Sequence, residues 1–366
     1  MSSIERIAAH LADGRELFYF NDAGSSLGSH RKDDAREPLP RPPVAQMRLD
    51  SLTAEWVSVA AARQNRAFLP PAHQCPLCPT TADNFSEIPD HFDVAVFENK
   101  SPSFGPALLL EDDENYAVVP NLNLGEVRDS IGRCEVVVFS PEHEGSLASQ
   151  SVNRVRTVIE AWTNRTDDLH RLAGVRQVFP FENRGQEIGV TLHHPHGQIY
   201  AYPYVTPRTT RLLQSIERFG PDLFTKTLAF EQASERVLVR GEHFTAYVPF
   251  AARWPIEVHL LPHRQVGNFV ELTDDERDEL AHSYHRILNA IDHIYETPTP
   301  YISAWHQAPL VAAGAGVRLQ LQITSPRRAA DKLKYLAGSE SAMGAFIADL
   351  PPETTAGLLR EALADL

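Results

Sequence analysis

The sequence predicts an α+β fold made of two duplicated halves, and three kinds of pattern support this prediction. Short segments rich in β-branched and aromatic residues are bounded by Pro, Asn or Gly, which is typical of strands. Apolar residues at helical spacing predict helices at residues 151–165 and 274–294, and Thr273 with the acidic residues after it is a capping signal. A weak internal repeat relates the two parts of the chain. Regular βαβ alternation is missing, which argues against a doubly wound parallel sheet.

The predicted strands lie in the first two thirds of the chain, at residues 56–59, 92–97, 116–119, 135–139, 177–179 and 197–202. A closing helix is predicted at residues 351–366. In the repeat, residues 114–120 resemble 242–249, and further along each half residues 135–143 resemble 257–263. Two strands, a connection and a Pro-His ending therefore occur twice. We place the halves at residues 45–210 and 211–366.

The remaining segment, residues 1–44, is predicted to be peripheral because it contains a Gly/Ser turn and four prolines at positions 38–43. The length of 366 residues fits about two domains, or one large domain of two similar halves. Apolar residues make up 43% of the chain, which is enough for a core of normal size.

The formal net charge of −14 argues against a protein that binds nucleic acid through its phosphates. No stretch approaches the 18 or more apolar residues of a membrane span, and the charged N-terminus lacks a signal-peptide core. Three cysteines cannot form a disulfide framework. We therefore expect a soluble cytoplasmic protein with no membrane partner.

The densest cluster of polar chemistry is His194-Pro195-His196-Gly197-Gln198. On an extended chain His194, His196 and Gln198 lie on one face, and Gly197 is predicted to let a ligand approach the backbone. The alternative is a polar loop with incidental histidines. An ordered string of this kind favours a functional site.

A second motif is Cys75-Pro76-Leu77-Cys78, whose two thiolates can supply half of a tetrahedral zinc site. The redox alternative needs a thioredoxin-like βαβ context, which the surrounding sequence lacks. His143 and His194 are the candidates for the other two ligands. Cys134 is predicted to be a small buried hydrophobic residue.

A third motif spans residues 181–191, where Asn183, Gly189 and Thr191 suit a loop that binds phosphate oxygens through backbone N–H groups and a hydroxyl. The alternative is an ordinary hairpin connection.

Together these residues resemble the galactose-1-phosphate uridylyltransferases, a nucleotidyl-transfer branch of the histidine-triad superfamily. The resemblance runs from about Met47 to Leu350. Besides the cysteine and histidine motifs, it is carried by Phe181-Glu182-Asn183-Arg184-Gly185, Phe139-Ser140-Pro141-Glu142-His143, Trp254-Pro255-Ile256-Glu257, Trp305-His306-Gln307-Ala308-Pro309 and Lys334-Tyr335-Leu336-Ala337-Gly338-Ser339-Glu340. It implies an antiparallel half-barrel of two histidine-triad-like halves, with helices packed outside. It also implies a homodimer whose active site is completed by the second subunit.

The resemblance implies a role for each matching residue. His196 is the nucleophile that takes the uridylyl group of UDP-glucose and passes it to galactose 1-phosphate, and Gln198 hydrogen-bonds the phosphate. The zinc ligands are Cys75, Cys78, His143 and His194. The substrate-binding residues are Arg63 and Arg66 near the nucleotide phosphates, Asn99 at the uridine or ribose, Asn183, Gly189 and Thr191 in the phosphate loop, and Lys334 and Glu340 at the hexose.

The chemistry of these residues agrees with a transferase. A neutral imidazole can attack phosphorus, and a sugar 1-phosphate leaves without general-acid help, so a Gln suffices at position 198. Some members of the family hold a second metal ion with one Glu and three His. Here His306 remains, but Leu212, Gln320 and Gln322 replace the others, so we expect that site to be absent.

Two alternatives stay open at this point. One is a phosphorylase of the same superfamily that cleaves an ADP-sugar or a dinucleoside polyphosphate. The other is a non-enzymatic, zinc-stabilised nucleotide-binding module, which the intact His196 and Gln198 disfavour. Lys334 and Glu340, a pair suited to sugar hydroxyls, favour the uridylyltransferase.

Overall fold

The computed structural model describes residues 3–65, 68–109, 111–113, 116–117 and 123–366. Within them, eleven strands form one sheet in which every neighbouring pair is antiparallel. A three-stranded sheet and a two-stranded hairpin complete the β-structure. The strands are β1 Glu5–His10, β2 Glu16–Asn21, β3 Gln46–Asp50, β4 Glu55–Val59, β5 Val94–Glu98, β6 Val127–Asp129, β7 Arg133–Val138, β8 Gln177–Arg184, β9 His196–Tyr202, β10 Val237–Arg240, β11 Phe244–Tyr247, β12 Ile256–Pro262, β13 Tyr301–His306, β14 Gln320–Ser325, β15 Arg327–Ala329 and β16 Lys332–Leu333.

Five α-helices accompany these strands in the described part of the chain. They are α1 Val152–His170, α2 Pro207–Phe219, α3 Leu223–Gln232, α4 Asp274–His293 and α5 Pro352–Ala364. Each of them is too short or too polar to span a lipid bilayer.

The strand order of the large sheet has an internal symmetry. One side runs β2-β5-β7-β9-β8, and the other side runs β13-β14-β12-β11-β10, which is the same succession of elements reversed. Helix α1 connects β7 to β8, and α4 occupies the corresponding place between β12 and β13. The two sides meet where β8 pairs with β13, with Phe181 opposite Ala304.

Helices cover one face of this sheet and bury the main core. Helix α1 packs against α4, and α4 packs against α5. The aromatic side chains Trp162, Phe269, Tyr284 and Trp305 are almost completely inaccessible and contact one another there. Burial of large aromatic side chains is the main stabilising term for such a layer.

The opposite face carries a continuous row of directly paired residues. From β9 to β12 the row is Gln198, Phe181, Ala304, Gln322 and His259. Directly paired residues point to the same face of an antiparallel sheet. Side chains of both halves therefore face the same space, and this face holds the candidate site.

Most predicted elements are confirmed, because strands β4, β5, β7, β8 and β9 and helices α1, α4 and α5 cover the predicted segments within a few residues. The strand predicted at residues 116–119 is wrong where it can be checked: Tyr116 and Ala117 lie in a turn, and residues 118–119 lie outside the described residues.

The N-terminal segment differs from its expected arrangement. Strands β1 and β2 join the large sheet at one edge, and Tyr19 of β2 is completely buried. Gly/Ser and Pro-rich stretches dominate the composition of residues 1–44, so these two strands are not visible in the sequence pattern. Those stretches fall within residues 22–45, which contain no helix or strand.

Candidate active site and metal centre

The predicted nucleophile opens strand β9. Along this strand burial alternates strictly: His196 and Gln198 are half-buried on the site face, whereas Gly197 and Ile199 are buried on the helix face. This alternation follows from the two-residue period of a β-strand. The structure therefore places His196 and Gln198 side by side, as the sequence predicts.

A backbone contact sets the tautomer of His196. Its Nδ1 lies 2.7 Å from the carbonyl oxygen of His194, an acceptor, so Nδ1 carries the proton. The Nε2 lone pair is then available. Burial lowers the pKa of His196, which keeps the ring neutral at neutral pH. A neutral imidazole with a free Nε2 is the form that can attack phosphorus.

The interpretation of Gly197 is corrected by the structure. Its α-carbon faces the helix layer, where a Cβ atom would lie 2.8 Å from the Phe139 ring and 2.8 Å from the Phe181 carbonyl oxygen. Glycine is therefore required for packing within the core, and not for the approach of a ligand.

The four predicted metal ligands converge into one cluster. The donor atoms of Cys75, Cys78, His143 and His194 all lie within 4.8 Å of one another. The Nδ1 atom of His194 is 3.7 Å from Cys75 Sγ and 3.5 Å from Cys78 Sγ, and Cys78 Sγ is 3.6 Å from His143 Nδ1.

These spacings fit a tetrahedral zinc ion. Bonds of about 2.3 Å to sulfur and about 2.0 Å to nitrogen place neighbouring S and N donors about 3.5 Å apart. The donor set of two thiols and two imidazoles also matches the preference of Zn²⁺. The residues present therefore fit this metal.

The surroundings of the cluster support the same conclusion. His194 Nε2 lies 2.7 Å from the carbonyl oxygen of Ser140, so it carries the ring proton and leaves Nδ1 free to bind a cation. Burial lowers the pKa of His194 to about 4. Burial and the Cys75 charge raise the pKa of Cys78 to about 12, so a divalent cation is needed to hold both thiolates.

The predicted phosphate-binding residues surround β9. Arg63 lies in the single turn Ala61–Asn65, and its Nη1 is 3.4 Å from the hydroxyl of Tyr200 in β9. Arg66 lies outside the described residues. Asn183 is half-buried in β8, the strand next to β9.

The loop after β8 returns toward the same region. Gly189 adopts a left-handed backbone with φ 84°, which favours glycine. The Thr191 carbonyl accepts a hydrogen bond from Leu69 N, so this loop contacts the segment after Arg63. Asn99 follows β5, where its side-chain oxygen accepts a hydrogen bond from Ser101 N.

The structure does not bring the predicted hexose residues to the histidine strand. Lys334 and Glu340 are both buried, with Lys334 Nζ 3.7 Å from Glu340 Oε1. Lys334 also donates to the carbonyl oxygens of Arg253 and Ile347. The recorded partners of Lys334 all belong to the C-terminal half.

Sequence reasoning missed an aromatic wall beside the nucleophile. Phe181 and Tyr200 meet edge to face with ring centroids 5.1 Å apart, and Tyr202 and Phe104 extend this wall. Aromatic residues at alternate positions of β8 and β9 were the available signal. Such a wall gives the rings of a nucleotide an apolar surface to contact.

Comparison with known proteins identifies the family. Residues 37–206 match the model of the N-terminal domain of galactose-1-phosphate uridyl transferase, and residues 212–364 match that of its C-terminal domain. The galactose-1-phosphate uridylyltransferase of Streptomyces lividans is 42% identical over 320 residues, covering 84% of this chain and 81% of the relative. The one from Thermotoga maritima is 33% identical over 329 residues, covering 87% and 98%.

Solved structures agree with this result. A uridylyltransferase structure with 30% identity superposes with a TM-score of 0.75 and covers 87% of this chain and 99% of that chain. An ADP-glucose phosphorylase from Arabidopsis thaliana, at 24% identity and a TM-score of 0.64, shares the fold. With both family domains matched in order, this chain belongs to the galactose-1-phosphate uridylyltransferase family.

Proposed function

We propose that this protein is a UDP-glucose–hexose-1-phosphate uridylyltransferase that transfers UMP between UDP-glucose and galactose 1-phosphate through a uridylyl group on His196. The observation that carries this proposal is the contact of His196 Nδ1 with the His194 carbonyl oxygen, which places the proton on Nδ1 and leaves the lone pair on Nε2. The substrates follow from the family, whose relatives are named for this activity.

The reaction proceeds in two displacements at phosphorus. His196 Nε2 attacks the α-phosphorus of UDP-glucose, a P–N bond forms, and the P–O bond to the sugar phosphate breaks to release glucose 1-phosphate. A phosphate oxygen of galactose 1-phosphate then attacks the same phosphorus and releases His196 as UDP-galactose forms. The His194 carbonyl stabilises the charge on the substituted imidazole, and the Gln198 amide can donate to a phosphate oxygen.

The metal has a structural role in this proposal. Cys75, Cys78, His143 and His194 would hold one Zn²⁺, and four protein ligands leave no position open for substrate. Through His194 the cluster would also orient the nucleophile. A second metal site at His306, with Gln320, Gln322 and Leu212 replacing its other ligands, is proposed to be absent because neutral amides and an alkyl group are poor metal ligands.

The substrate contacts are proposals that follow the family pattern. Arg63 and Arg66 would bind the nucleotide phosphates, Asn99 the nucleoside, and Asn183, Gly189 and Thr191 the phosphate loop. The contact of Arg63 with Tyr200 and of the Thr191 carbonyl with Leu69 supports a common location for the phosphate-binding groups.

Lys334 and Glu340 are proposed to face the hexose in a neighbouring subunit. The contacts of Lys334 within the C-terminal half of its own chain support this arrangement. The protein would then be a homodimer with shared active sites. A cytoplasmic location also stays a prediction.

We also propose that the chain consists of two duplicated histidine-triad-like halves, residues 45–210 and 211–366, that form a half-barrel, with residues 1–44 outside them. The duplication is supported by four strands on each side of the β8–β13 junction, since β13-β14-β12-β11 is the reverse of the succession β5-β7-β9-β8. The two family models meet between residues 206 and 212, which supports the boundary.

The test is the mass of the intact protein after incubation with UDP-glucose alone. We expect the wild type to gain one UMP and to lose it when galactose 1-phosphate is added. His196→Ala should gain none, whereas His193→Ala, a change to the neighbouring exposed histidine, should gain UMP normally. A UMP adduct on the His196→Ala protein would show that His196 is not the nucleophile.

The same experiment with ADP-glucose tests the phosphorylase alternative. A gain of AMP only, discharged by inorganic phosphate, would replace the uridylyltransferase by that activity. The absence of any adduct with either nucleotide sugar would contradict both.

A further inference from the structure

A cavity with a volume of about 990 Å³ opens on the site face of the sheet. Most of the residues that line it belong to the C-terminal half. Its floor includes Gln322 and His259, which stand in the same cross-strand row as Gln198. Three strand spacings separate β9 from β14, which amounts to about 14 Å along the sheet. This cavity is thus a separate space beside the His196 site.

Three arginines and one lysine line the cavity and make it cationic: Arg208, Arg211, Arg253 and Lys226. Arg208 lies in the first turn of α2 and donates to Gln322 Oε1, and Arg253 lies in the connection before β12. Among the described residues no carboxylate is within salt-bridge distance of either guanidinium. Desolvation and the like charge of Arg253 lower the pKa of Arg208. Unpaired like charges beside a cavity favour an anionic ligand.

The carboxylates that line the same cavity are already engaged. Glu257 accepts hydrogen bonds from His259 Nε2 at 2.9 Å and from the backbone N of Arg253 at 2.6 Å. Glu231 pairs with Arg236 at 2.6 Å. Neither carboxylate is within salt-bridge distance of the Arg208 or Arg253 guanidinium, so the cavity remains locally positive in a protein of net charge −14.

Aromatic side chains form the walls around the arginines. Trp254 and Phe346 have ring centroids 6.3 Å apart, and the Arg253 guanidinium carbon lies 5.4 Å from the Phe346 ring centre. On the other side Phe230 meets Phe250 edge to face at 5.5 Å, and both are more than half exposed. Exposed aromatic walls beside cationic groups are suited to a ligand that joins a ring to an anion.

One group at the base of the cavity, His306, is uncharged. Burial and the Arg208 charge lower the pKa of His306 to about 3, so this ring is neutral at neutral pH. Gln322 donates to Gln320 at 3.1 Å and accepts from Arg208, and the amide nitrogen of Gln320 can donate to a hydroxyl or phosphate oxygen.

We propose that this cavity is a second binding site for a phosphorylated small molecule that carries a ring, with its phosphate on Arg208 and Arg253 and its ring between the aromatic walls. A sugar phosphate and a nucleotide share this chemistry. The site does not take part in the uridylyl transfer at His196.

Calorimetric titration of the full-length protein tests this proposal, with UMP, glucose 1-phosphate and inorganic phosphate used separately as ligands. We expect the double variant Arg208→Gln, Arg253→Gln to bind one equivalent fewer of UMP or of glucose 1-phosphate per chain than the wild type. The affinity for the ligand molecule bound in this cavity should fall about tenfold or more. Comparison of UMP with glucose 1-phosphate distinguishes a nucleotide from a sugar phosphate as the ligand. Inorganic phosphate should bind more weakly than either.

The control is Arg218→Gln, which removes one positive charge from the same helix outside the cavity. Adduct formation from UDP-glucose should be unchanged in the double variant, and this readout separates a failure of the proposed activity from a failure of the second site. Equal numbers of bound ligands in the double variant and the wild type would overturn the proposal. Equal affinity for inorganic phosphate would overturn the role of the aromatic walls.

A fluorescence measurement gives an independent test that does not alter the arginines. Of the four tryptophans, Trp254 lines the cavity, whereas Trp162 and Trp305 are buried in the helix layer and Trp56 lies in β4. We expect UMP or glucose 1-phosphate to change the emission of the wild type and not that of Trp254→Phe. An identical change in both proteins would contradict a ligand in this cavity.

Discussion

At the residue scale, His194 connects the metal cluster to the nucleophile. Its Nδ1 faces the sulfurs of Cys75 and Cys78, and its carbonyl oxygen accepts a hydrogen bond from His196 Nδ1. A change in the cluster therefore moves the backbone that orients the catalytic ring. Through this connection a metal that binds no substrate would affect the proposed transfer.

The first prediction concerns Cys75. We expect Cys75→Ser to lose most of its bound metal and to lower the free energy of unfolding by about 3 kcal/mol or more, because three ligands hold zinc less tightly than four. Metal analysis and thermal denaturation measure these effects. Cys134→Ser is the control, since Cys134 is buried outside the cluster and should leave the metal content at about one zinc per chain. Stoichiometric zinc and unchanged melting in Cys75→Ser would contradict the assignment.

The second prediction concerns the buried carboxyl of Glu182, which accepts a hydrogen bond from Tyr301 at 3.1 Å. Burial raises the pKa of Glu182 from 4.5 to about 7. The folded protein therefore binds a proton that the unfolded chain has released, so stability falls as the pH rises between these two values.

Glu182→Gln should remove this dependence because the amide does not titrate. We expect the wild type to lose about 2 to 3 kcal/mol relative to this variant between pH 5 and pH 8, measured by chemical denaturation. Glu217→Gln, on the exposed surface of α2, is the control and should follow the wild type. Parallel pH profiles for Glu182→Gln and the wild type would show that the carboxyl is ionised throughout.

At the element scale, strand β9 separates chemistry from packing by its alternation. His196 and Gln198 face the site, while Gly197 packs against the Phe139 ring under the sheet. Because β9 lies close to the helix layer at Gly197, this contact sets the position of the His196 and Gln198 side chains on the opposite face. A larger residue at position 197 would displace the strand.

The third prediction is that Gly197→Ala lowers the free energy of unfolding by about 1 to 3 kcal/mol, since a Cβ atom would lie 2.8 Å from the Phe139 ring and from the Phe181 carbonyl. Denaturant titration measures this. Gly28→Ala is the control, because nothing lies within 4 Å of the added carbon and its backbone is not left-handed. A stable Gly197→Ala protein that only binds its substrates poorly would restore the role in ligand approach.

At the scale of the whole molecule, the β8–β13 pair joins two sides with the same strand succession. Lys334 and Glu340 lie with the C-terminal half, apart from the histidine strand of their own chain. In a two-fold dimer, each half of one subunit can face a different half of its partner. A shared active site would bring the nucleophile and the hexose residues together.

The fourth prediction follows from such sharing. His196→Ala and Lys334→Ala should each be inactive alone. After random mixing the population should recover about a quarter of the wild-type activity, because half of the dimers are heterodimers and one of the two sites in each is intact. Coexpression followed by an activity assay measures this. The control pair is His196→Ala with Gln198→Ala, which lie in one strand and should not rescue each other. The lack of rescue for the first pair would place both residues in a single-chain site.

Sequence alone determined the features that depend on neighbouring residues. The capping box of α4 is one example: the Thr273 hydroxyl accepts from Glu276 N at 3.2 Å, and the Glu276 carboxylate accepts from Thr273 N at 2.8 Å. The Cys75–Cys78 spacing and the order of His194 and His196 are others. Such features involve a few consecutive residues, so their chemistry is visible in the sequence.

Tertiary structure decided which distant residues meet and which face of each strand is covered. Cys75 and His194 are 119 residues apart in the chain, yet their donor atoms lie 3.7 Å apart because β7 and β9 pair beside the cysteine loop. The two-residue period of β9 separates Gly197 from His196, but it does not say which side the helices cover. The covered side of the sheet, and the cavity beside Arg208 on the other side, are determined only when the sheet packs against α1 and α4.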